Sequence, residues 1–442
     1  MALSKKPVTG MKDILPDEMK IRDYVISVIN DTYRSYGFTK IETPVVEHIE
    51  NLTNKQGGDN EKLIFRILKR GEKLDLASAK EEADLTDSGL RYDLTVPLVR
   101  YYSAHANDLP VPFKALQMGN VFRADRPQRG RYRQFMQCDI DILGESTNLA
   151  EIELILATTT TIGKLGFKGF EIRINDRRLL KAMAAFAGFG EEDYDSVFIT
   201  LDKMDKIGLD GVRAELSENG YESGVIDRYL SLFEGNTSCP GGDGADGAGE
   251  ASDKSAVSGT SAVEKILALS SALGESLDPS VKENLTGIIE AVEAAKDADF
   301  RMVFDPTLVR GMSYYTGTIF EISLPEFGGS CGGGGRYDEM VGKFTGNSVP
   351  ACGFSIGFER IILLLTESGF KLPGESDKCA FLIEKGMPKE RLSAVLSEAR
   401  QLRETGTQVL TVYMNKNKKF QKEQLAKEGY VDIKEYYVNP LN

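Results

Sequence analysis

The chain has 442 residues, of which 41% are hydrophobic and 27% charged, with a formal net charge of -13; this is the composition of an ordinary globular protein rather than a disordered or membrane one. At roughly 100–200 residues per domain, the length predicts about three domains. There is no apolar run of about 18 residues and no apolar stretch behind the first lysines, so we expect neither a membrane span nor a signal peptide.

The first half of the chain predicts a helix followed by strands. Three- and four-residue apolar spacing after Pro16 predicts an amphipathic helix that Gly37 ends. Residues 38–47 then read as one strand, in which Pro44 indicates an edge or a boundary. Beyond these we predict an antiparallel pair of strands with a long loop, over 113–123 and 131–143, then helix 149–165, strand 170–174 and helix 176–186.

The second half predicts a helical region and then a small α/β unit. Residues 190–300 are mostly helical in pattern, interrupted by a Gly/Ser/Ala/Asp-rich stretch, 235–262, that we expect to be a flexible surface loop. Strand 317–324, a glycine cluster and helix 356–365 follow. After residue 378 the pattern alternates, which predicts a separate α/β domain, with strands over 379–384, 408–413 and 431–438 and helices over 388–404 and 418–428.

Cysteine and histidine are sparse. The five cysteines are scattered and form no CxxC pair, which argues for a reducing cytoplasm and against a structural zinc. Of the two histidines, His48 and His105, each reads most simply as a surface or packed imidazole. We therefore predict no metal site and expect the chemistry to depend on Arg, Asp, Glu and Gln.

Positive charge is concentrated in two places. Taken alone, the net charge argues against a polyanionic partner, because phosphate binding needs local positive potential. However, 123-RADRPQRGRYR-133 holds five arginines and 415-NKNKKFQK-422 holds four lysines. Arginine forks bind phosphate bidentately, so the arginine loop favours a nucleotide or the end of a nucleic acid. A solvated charged surface is the alternative for both segments.

The segment 131-RYRQFMQCDIDILG-144 carries most information. In a strand, the period of two places Met136, Cys138, Ile140 and Ile142 on one face. The other face then carries a cation, an aromatic ring, an amide and two carboxylates: Arg133, Phe135, Gln137, Asp139 and Asp141. Such a face is costly to bury unless a ligand satisfies it, although a solvated strand face remains the alternative.

The arginine loop and this strand together resemble motif 2 of class II aminoacyl-tRNA synthetases. Likewise 353-GFSIGFERI-361 is similar to their motif 3, and the first helix with 37-GFTKIETPVVE-47 is similar to motif 1, whose proline, here Pro44, lies at the family's dimer interface. The resemblance implies an α+β fold: the class II antiparallel sheet flanked by helices, with a helical insertion and a small C-terminal α/β domain.

Two further blocks, 308-LVRGMSYYTGTIFEI-322 and 333-GGGRYDEMVG-342, resemble the histidine signatures of histidyl-tRNA synthetases. The segments 90-LRYDLTVPLVRYY-102 and 171-EIRINDRRLL-180 are similar to the same family, closest to its eukaryote-like branch. This resemblance, which covers residues 8 to about 366, implies a cytoplasmic homodimer that joins histidine to ATP and then to tRNA(His).

For the ATP end, the resemblance implies that Arg123 holds the α-phosphate and the histidine carboxylate, and that Arg360 holds the γ-phosphate. Arg310 would contact histidine and stabilise the transition state, Phe135 would stack on adenine, and Mg²⁺ would bridge the outer phosphates. Adenylation brings two anions together, and preorganised cations lower the free energy of that step.

For the histidine end, the resemblance implies that Asp93, Thr95 and Gln137 take the α-ammonium group. Asp141 with Tyr314 or Tyr315 would face the imidazole, since a fixed carboxylate accepts its N–H and selects it over apolar rings.

For tRNA, the resemblance implies that Arg126 and Gln128 meet the extra guanosine at its 5′ end. The glycines of 332-GGGG-335 fit a close backbone approach to substrate or a tight turn. The four lysines at 416, 418, 419 and 422 offer a phosphate-binding surface at the start of a predicted helix.

The resulting domain prediction is a catalytic core over 1–180 and 301–372, a helical insertion over 181–300 and a shortened anticodon-binding-like domain over 376–442. Ser313 stands where the family signature has Asp, which removes a partner for neighbouring arginines. The short last domain favours one rival, the histidine-binding regulatory subunit of ATP phosphoribosyltransferase, whereas the three arginines favour the enzyme. A synthetase for another amino acid is the second rival, against which both histidine blocks argue.

Overall fold

The computed structural model describes residues 3–53, 62–233, 261–309, 314–374 and 377–439. The chain divides into two compact units, Met1–Gly369 and Phe370–Asn442. Within the described ranges, no helix combines the length and the apolar character that a membrane crossing requires.

The strands of the first unit, in chain order, are β1 (Thr39–Ile41), β2 (Val46–His48), β3 (Arg66–Leu68), β4 (Thr86–Leu90), β5 (Phe113–Phe122), β6 (Gln134–Leu143), β7 (Phe170–Asp176), β8 (Phe300–Phe304), β9 (Thr318–Leu324), β10 (Gly329–Arg336) and β11 (Ala351–Ile356). Its helices are α1 (Pro16–Ser35), α2 (Ile49–Thr53), α3 (Glu82–Leu85), α4 (Thr95–His105), α5 (Leu149–Lys164), α6 (Arg177–Ala187), α7 (Tyr194–Leu201), α8 (Met204–Glu218), α9 (Ser223–Ser231), α10 (Ala262–Leu273), α11 (Pro279–Ala295), α12 (Gly342–Thr345) and α13 (Phe358–Glu367).

A mixed sheet forms the centre of the first unit, with strand order β1-β5-β6-β11-β10-β9-β7-β8. Its middle strands are antiparallel, and the edge pairs β1–β5 and β7–β8 are parallel. The predicted antiparallel sheet flanked by helices is therefore confirmed, with the addition of a parallel pair at each edge.

The alternation of apolar and polar side chains along β6 shows which face of the sheet is covered by helices. Cys138 and Ile140 are fully buried and Ile142 is 2% exposed, so this face belongs to the core. Helices α5 and α13 pack against β6, and α1 packs against both helices. Because side chains alternate across a strand, the polar residues of β6 lie on the opposite face of the sheet.

Residues 38–47 do not form the single strand that was predicted, but the boundary predicted at Pro44 is present. The structure has two short strands in different sheets: β1 pairs with β5, and β2 joins β4 and β3 in a separate three-stranded sheet. Pro44, between these two strands, has no N–H to donate to a neighbouring strand. The Arg91 guanidinium donates a 2.7 Å hydrogen bond to the Thr43 carbonyl oxygen. The chain therefore leaves the central sheet at this point.

The helical insertion predicted over 190–300 is present in the described residues as α7 to α11, between β7 and β8. The loop predicted at 235–262 lies almost wholly outside the described residues. At its end the Ser261 hydroxyl accepts from the Glu264 amide at 3.1 Å and caps α10, whose first residue is Ala262.

The second unit alternates as predicted: β12 (Lys378–Ile383), α14 (Lys389–Glu404), β13 (Gln408–Tyr413), α15 (Lys418–Lys427) and β14 (Asp432–Tyr436). Its strands form a parallel sheet in the order β13-β12-β14. The central strand β12 is covered on both faces, by Val395 and Ala399 on one side and by Leu425 and Tyr430 on the other. Burial on both faces explains the apolar run from Cys379 to Ile383.

Candidate active site

A cleft of about 600 Å³ opens over the polar face of β6. It is lined by residues of β6, β10 and β11, by the start of α4 and by the start of α13. Nine residues predicted from the sequence line it together: Asp93, Thr95, Arg123, Phe135, Gln137, Asp141, Tyr314, Tyr315 and Arg360.

Glycines form the floor of the cleft. The glycines 332–335 lie within strand β10, so the tight-turn alternative is wrong. A Cβ on Gly334 would lie 1.9 Å from the Gly353 carbonyl oxygen, and a Cβ on Gly353 would lie 2.0 Å from Asp141 Oδ1. Glycine is required because β10, β11 and the Asp141 side chain approach each other too closely for any Cβ.

Asp141 lies at one end of the cleft, 3% exposed, and its Oδ1 accepts a 2.6 Å hydrogen bond from the Tyr337 hydroxyl. Burial, reinforced by the neighbouring Asp139 carboxyl, raises the pKa of Asp141 well above its usual range. The ring of Tyr314 packs against Tyr315 and Tyr337, with centroids at 4.8 and 6.0 Å. This end therefore combines a buried carboxyl with aromatic walls.

Two more buried carboxyls adjoin it. Asp93 Oδ1 accepts from the Val96 amide at 3.1 Å at the start of α4, and burial raises the Asp93 pKa to about 6. Asp139 accepts from Ser355 Oγ and Gln137 Nε2, and burial raises its pKa to about 7. Among the described residues, Asp93 Oδ2 and Gln137 Oε1 are buried with no donor. Buried acceptors of this kind suit a cationic ligand such as an ammonium group.

The other end of the cleft carries arginines and an aromatic ring. Arg123 Nε donates to the Tyr92 carbonyl at 2.9 Å, and its guanidinium lies 5.2 Å from the centroid of Phe135. Arg360, in the first turn of α13, donates to the Ser330 carbonyl and lies 5.3 Å from the ring of Phe327. Two guanidinium groups can bind phosphates, and the ring of Phe135, which lies beside one of them, can stack on a base.

The predicted tRNA contacts lie outside the cleft, on the loop between β5 and β6. Arg126 and Gln128 are exposed, and paired backbone hydrogen bonds of 3.1 and 3.0 Å between Gln128 and Arg131 tighten the loop. Arg310 and Ser313 fall outside the described residues, so the structure gives Arg310 no position.

The lysine cluster of the second unit differs from the prediction. Lys418 and Lys422 both form ion pairs with Glu435 on β14, and they lower the pKa of that carboxyl to about 2. Lys416 and Lys419 are exposed. Lys418 and Lys422 therefore share one carboxylate, which offsets one of the four positive charges of the cluster and which sequence spacing did not reveal.

Three residues of the site were not singled out as ligand contacts. Asp139 shares the polar face of β6, so the period of two could have identified it. Tyr337 follows the glycine run in the second histidine block, and Glu359 precedes Arg360 in the motif-3 segment. Their contacts to Asp141 and to the backbone of β6 depend on pairing between distant strands, which one sequence does not display.

The histidyl-tRNA synthetase family model matches residues 10–361. The histidine–tRNA ligase of Leifsonia xyli is 44% identical over 405 residues, covering 90% of this chain and 88% of that protein. The probable histidine–tRNA ligase of Tropheryma whipplei is 42% identical over 363 residues, covering 82% and 80%.

Two solved structures share the fold. The histidyl-tRNA synthetase from Nostoc sp. PCC 7120 superposes with a TM-score of 0.74 at 28% identity, covering 97% of this chain and 90% of that one. An ATP phosphoribosyltransferase regulatory subunit/histidyl-tRNA synthetase from Bacillus halodurans also gives 0.74, covering both chains in full. At 20% identity, this second likeness shows the fold alone.

Proposed function

This chain belongs to the histidyl-tRNA synthetase family, and from that premise we propose that it activates histidine with ATP to histidyl-adenylate and transfers the histidyl group to tRNA(His). One observation carries the proposal: a single cleft is lined at one end by buried carboxyls that suit a cationic ligand, and at the other end by two arginines and an aromatic ring. Histidine and ATP have complementary charges for these two ends.

At the histidine end, Asp93, Thr95 and Gln137 bind the α-ammonium group. The orphaned oxygens of Asp93 and Gln137 support this role, because an ammonium supplies the donors that they lack. Asp141, fixed by Tyr337, accepts the imidazole N–H beside Tyr314 and Tyr315. A site built to hydrogen-bond a ring N–H rejects apolar rings, since they would leave the buried carboxyl unpaired.

At the ATP end, an oxygen of the histidine carboxylate attacks the α-phosphorus. A new C(O)O–P bond forms, the bond from the α-phosphorus to the bridging oxygen breaks, and pyrophosphate leaves with the electron pair. Arg123 and Arg310 stabilise the charge that builds on the α-phosphate and its attacker, and Arg360 binds the γ-phosphate. Phe135 stacks on adenine, and its position beside Arg123 supports that assignment.

We propose that Mg²⁺ binds together with the ATP phosphates rather than in a site formed by the protein alone. Among the described residues, no group of three or more His, Cys, Asp or Glu side chains is arranged to hold a metal ion. Mg²⁺ sites of nucleotide enzymes use one or two carboxylates together with substrate phosphates, so the chain need not supply a complete cage. The ion would neutralise charge on the outer phosphates.

Transfer to tRNA extends the proposal beyond the cleft. We assign Arg126 and Gln128 to the tRNA 5′ end on the strength of their exposed position in the β5–β6 loop. Residues 1–180 and 301–372 form the proposed catalytic core, residues 181–300 the insertion, and residues 376–442 a shortened anticodon-binding-like domain. We further propose that the enzyme acts in the cytoplasm as a homodimer, with Pro44 at the interface.

Histidine-dependent exchange of pyrophosphate into ATP tests adenylation, and histidine charging of tRNA(His) transcripts tests transfer. Relatives that are 35–44% identical over most of the chain are named histidine–tRNA ligases, so the rival, the phosphoribosyltransferase regulatory subunit, is not favoured. Histidine binding without any exchange would support that rival, and exchange dependent on another amino acid would refute the specificity.

A further inference from the structure

Glu359 on α13 joins three elements of the first unit, because it contacts both α1 and β6. Its two carboxylate oxygens accept from the two terminal nitrogens of Arg22 on α1, one of them at 3.1 Å. Its Oε1 also accepts from the Met136 amide of β6 at 3.2 Å. The Arg22 and Glu359 side chains are only 7% and 10% exposed, so the ion pair is shielded from water.

The position of this carboxylate follows from the end of a β-ladder. Pairing between β6 and β11 stops at Cys138 and Ile356, where the chain turns into α13. The Met136 amide lies two residues further along β6, beyond the last partner residue on β11. Glu359 Oε1 takes the place of the missing strand carbonyl and gives this partly buried amide an acceptor.

The residues on either side of these contacts are the proposed ATP ligands. Phe135 precedes Met136 on β6, and Arg360 follows Glu359 on α13. We infer, on the basis of the proposed function, that Glu359 is a positioning residue: paired with Arg22, it fixes Phe135 and Arg360 relative to each other and so shapes the ATP end of the cleft. Small displacements of such groups cost rate and affinity because the substrate contacts need accurate geometry.

A second buried ion pair provides the matched control. Arg336 donates to Glu151 at 2.7 and 2.6 Å, with side chains 10% and 1% exposed. Arg336 precedes Tyr337, which contacts Asp141 at the histidine end of the cleft. Arg22 also pairs with Glu18 and Arg336 also pairs with Asp338, so removing Glu359 or Glu151 weakens the pairing of a buried arginine and destabilises the fold in both cases. The two pairs differ in which end of the cleft they adjoin.

The experiment compares Glu359→Gln, Arg22→Lys and Glu151→Gln in pyrophosphate exchange, with ATP and histidine varied separately and the melting temperature recorded. For Glu359→Gln we expect the KM for ATP to rise by about 10-fold or more, by the positional argument, while the KM for histidine stays near wild type. Arg22→Lys keeps the charge but loses the fork, so its ATP defect should be smaller. Glu151→Gln should lower the melting temperature without a selective ATP defect.

The single variant Arg22→Gln and the double variant Arg22→Gln/Glu359→Gln add a test of coupling. If Glu359 acts through Arg22, the ATP defect of the double variant should be no larger than that of the worse single variant. Equal rises in the KM for ATP and in the KM for histidine in Glu359→Gln would show a merely structural role and overturn the inference. A selective rise in the KM for ATP in Glu151→Gln would do the same. If Glu359→Gln does not fold, Arg22→Lys is judged by the same comparison. Failure of wild-type exchange would instead refute the proposed function.

Discussion

The substitution Gly353→Ala tests the histidine end of the cleft without removing any functional group. Gly353 lies on β11 directly beside Asp141, and an added Cβ would lie 2.0 Å from Asp141 Oδ1 and 2.9 Å from its Cγ. The oxygen would have to retreat by about 1.4 Å to reach ordinary contact distance, a displacement that matters for substrate groups. The carboxyl is buried and bound to Tyr337, so it cannot move at low cost.

The magnitude follows from the hydrogen bond that the displacement breaks. Leaving a buried hydrogen-bonding group without its partner costs about 1–3 kcal/mol. At 1.4 kcal/mol per factor of ten, this cost corresponds to a histidine KM raised roughly 5- to 100-fold. The KM for ATP should stay close to wild type, because the alanine methyl group lies at the histidine end. Asp141→Ala should give the same selective pattern and at least as large an effect.

Pyrophosphate exchange at saturating ATP, with histidine varied, measures the effect, and a thermal scan reports folding. Gly224→Ala is the control for glycine replacement in general, because nothing lies within 4 Å of its added Cβ in α9. A folded Gly353→Ala enzyme with a histidine KM within about twofold of wild type would refute the assignment of Asp141 to the imidazole.

Three further outcomes are expected. Asp139 accepts a hydrogen bond from Gln137, one of the proposed ammonium ligands, and burial raises the Asp139 pKa to about 7, so this carboxyl loses its charge as the pH falls through that value. The histidine KM should therefore rise towards acid pH less in Asp139→Asn than in wild type, and equal rises would contradict this. Arg310→Ala should lower the rate of adenylation by roughly 10²-fold while both substrates still bind, and near-normal exchange would remove Arg310 from the mechanism. In the second unit, replacing Lys416 and Lys419 by Ser should flatten the salt dependence of tRNA binding. Replacing Lys418 and Lys422, which both pair with Glu435, should flatten it less. Identical slopes for the two double variants would contradict this.

The sequence by itself determined the elements whose signal is local. The period of two on β6 placed Gln137 and Asp141 on one face because strand geometry alternates wherever the strand lies. Apolar spacing after Pro16 likewise determined α1, which the structure places at Pro16–Ser35. The alternation of the last unit was read correctly for the same reason. The resemblance to the family likewise rests on short sequence motifs, which are local signals.

Tertiary structure alone decided which distant groups meet. Arg22 and Glu359 are 337 residues apart in the chain, and only the packing of α1 on α13 brings them together. The partner of Asp141 and the role of Gly353 depend on the order β6-β11-β10. At the break between β1 and β2, the distant Arg91 binds the Thr43 carbonyl. Periodicity reports the face of a side chain, whereas a hydrogen-bond partner is set by strand order and register, which no local pattern encodes.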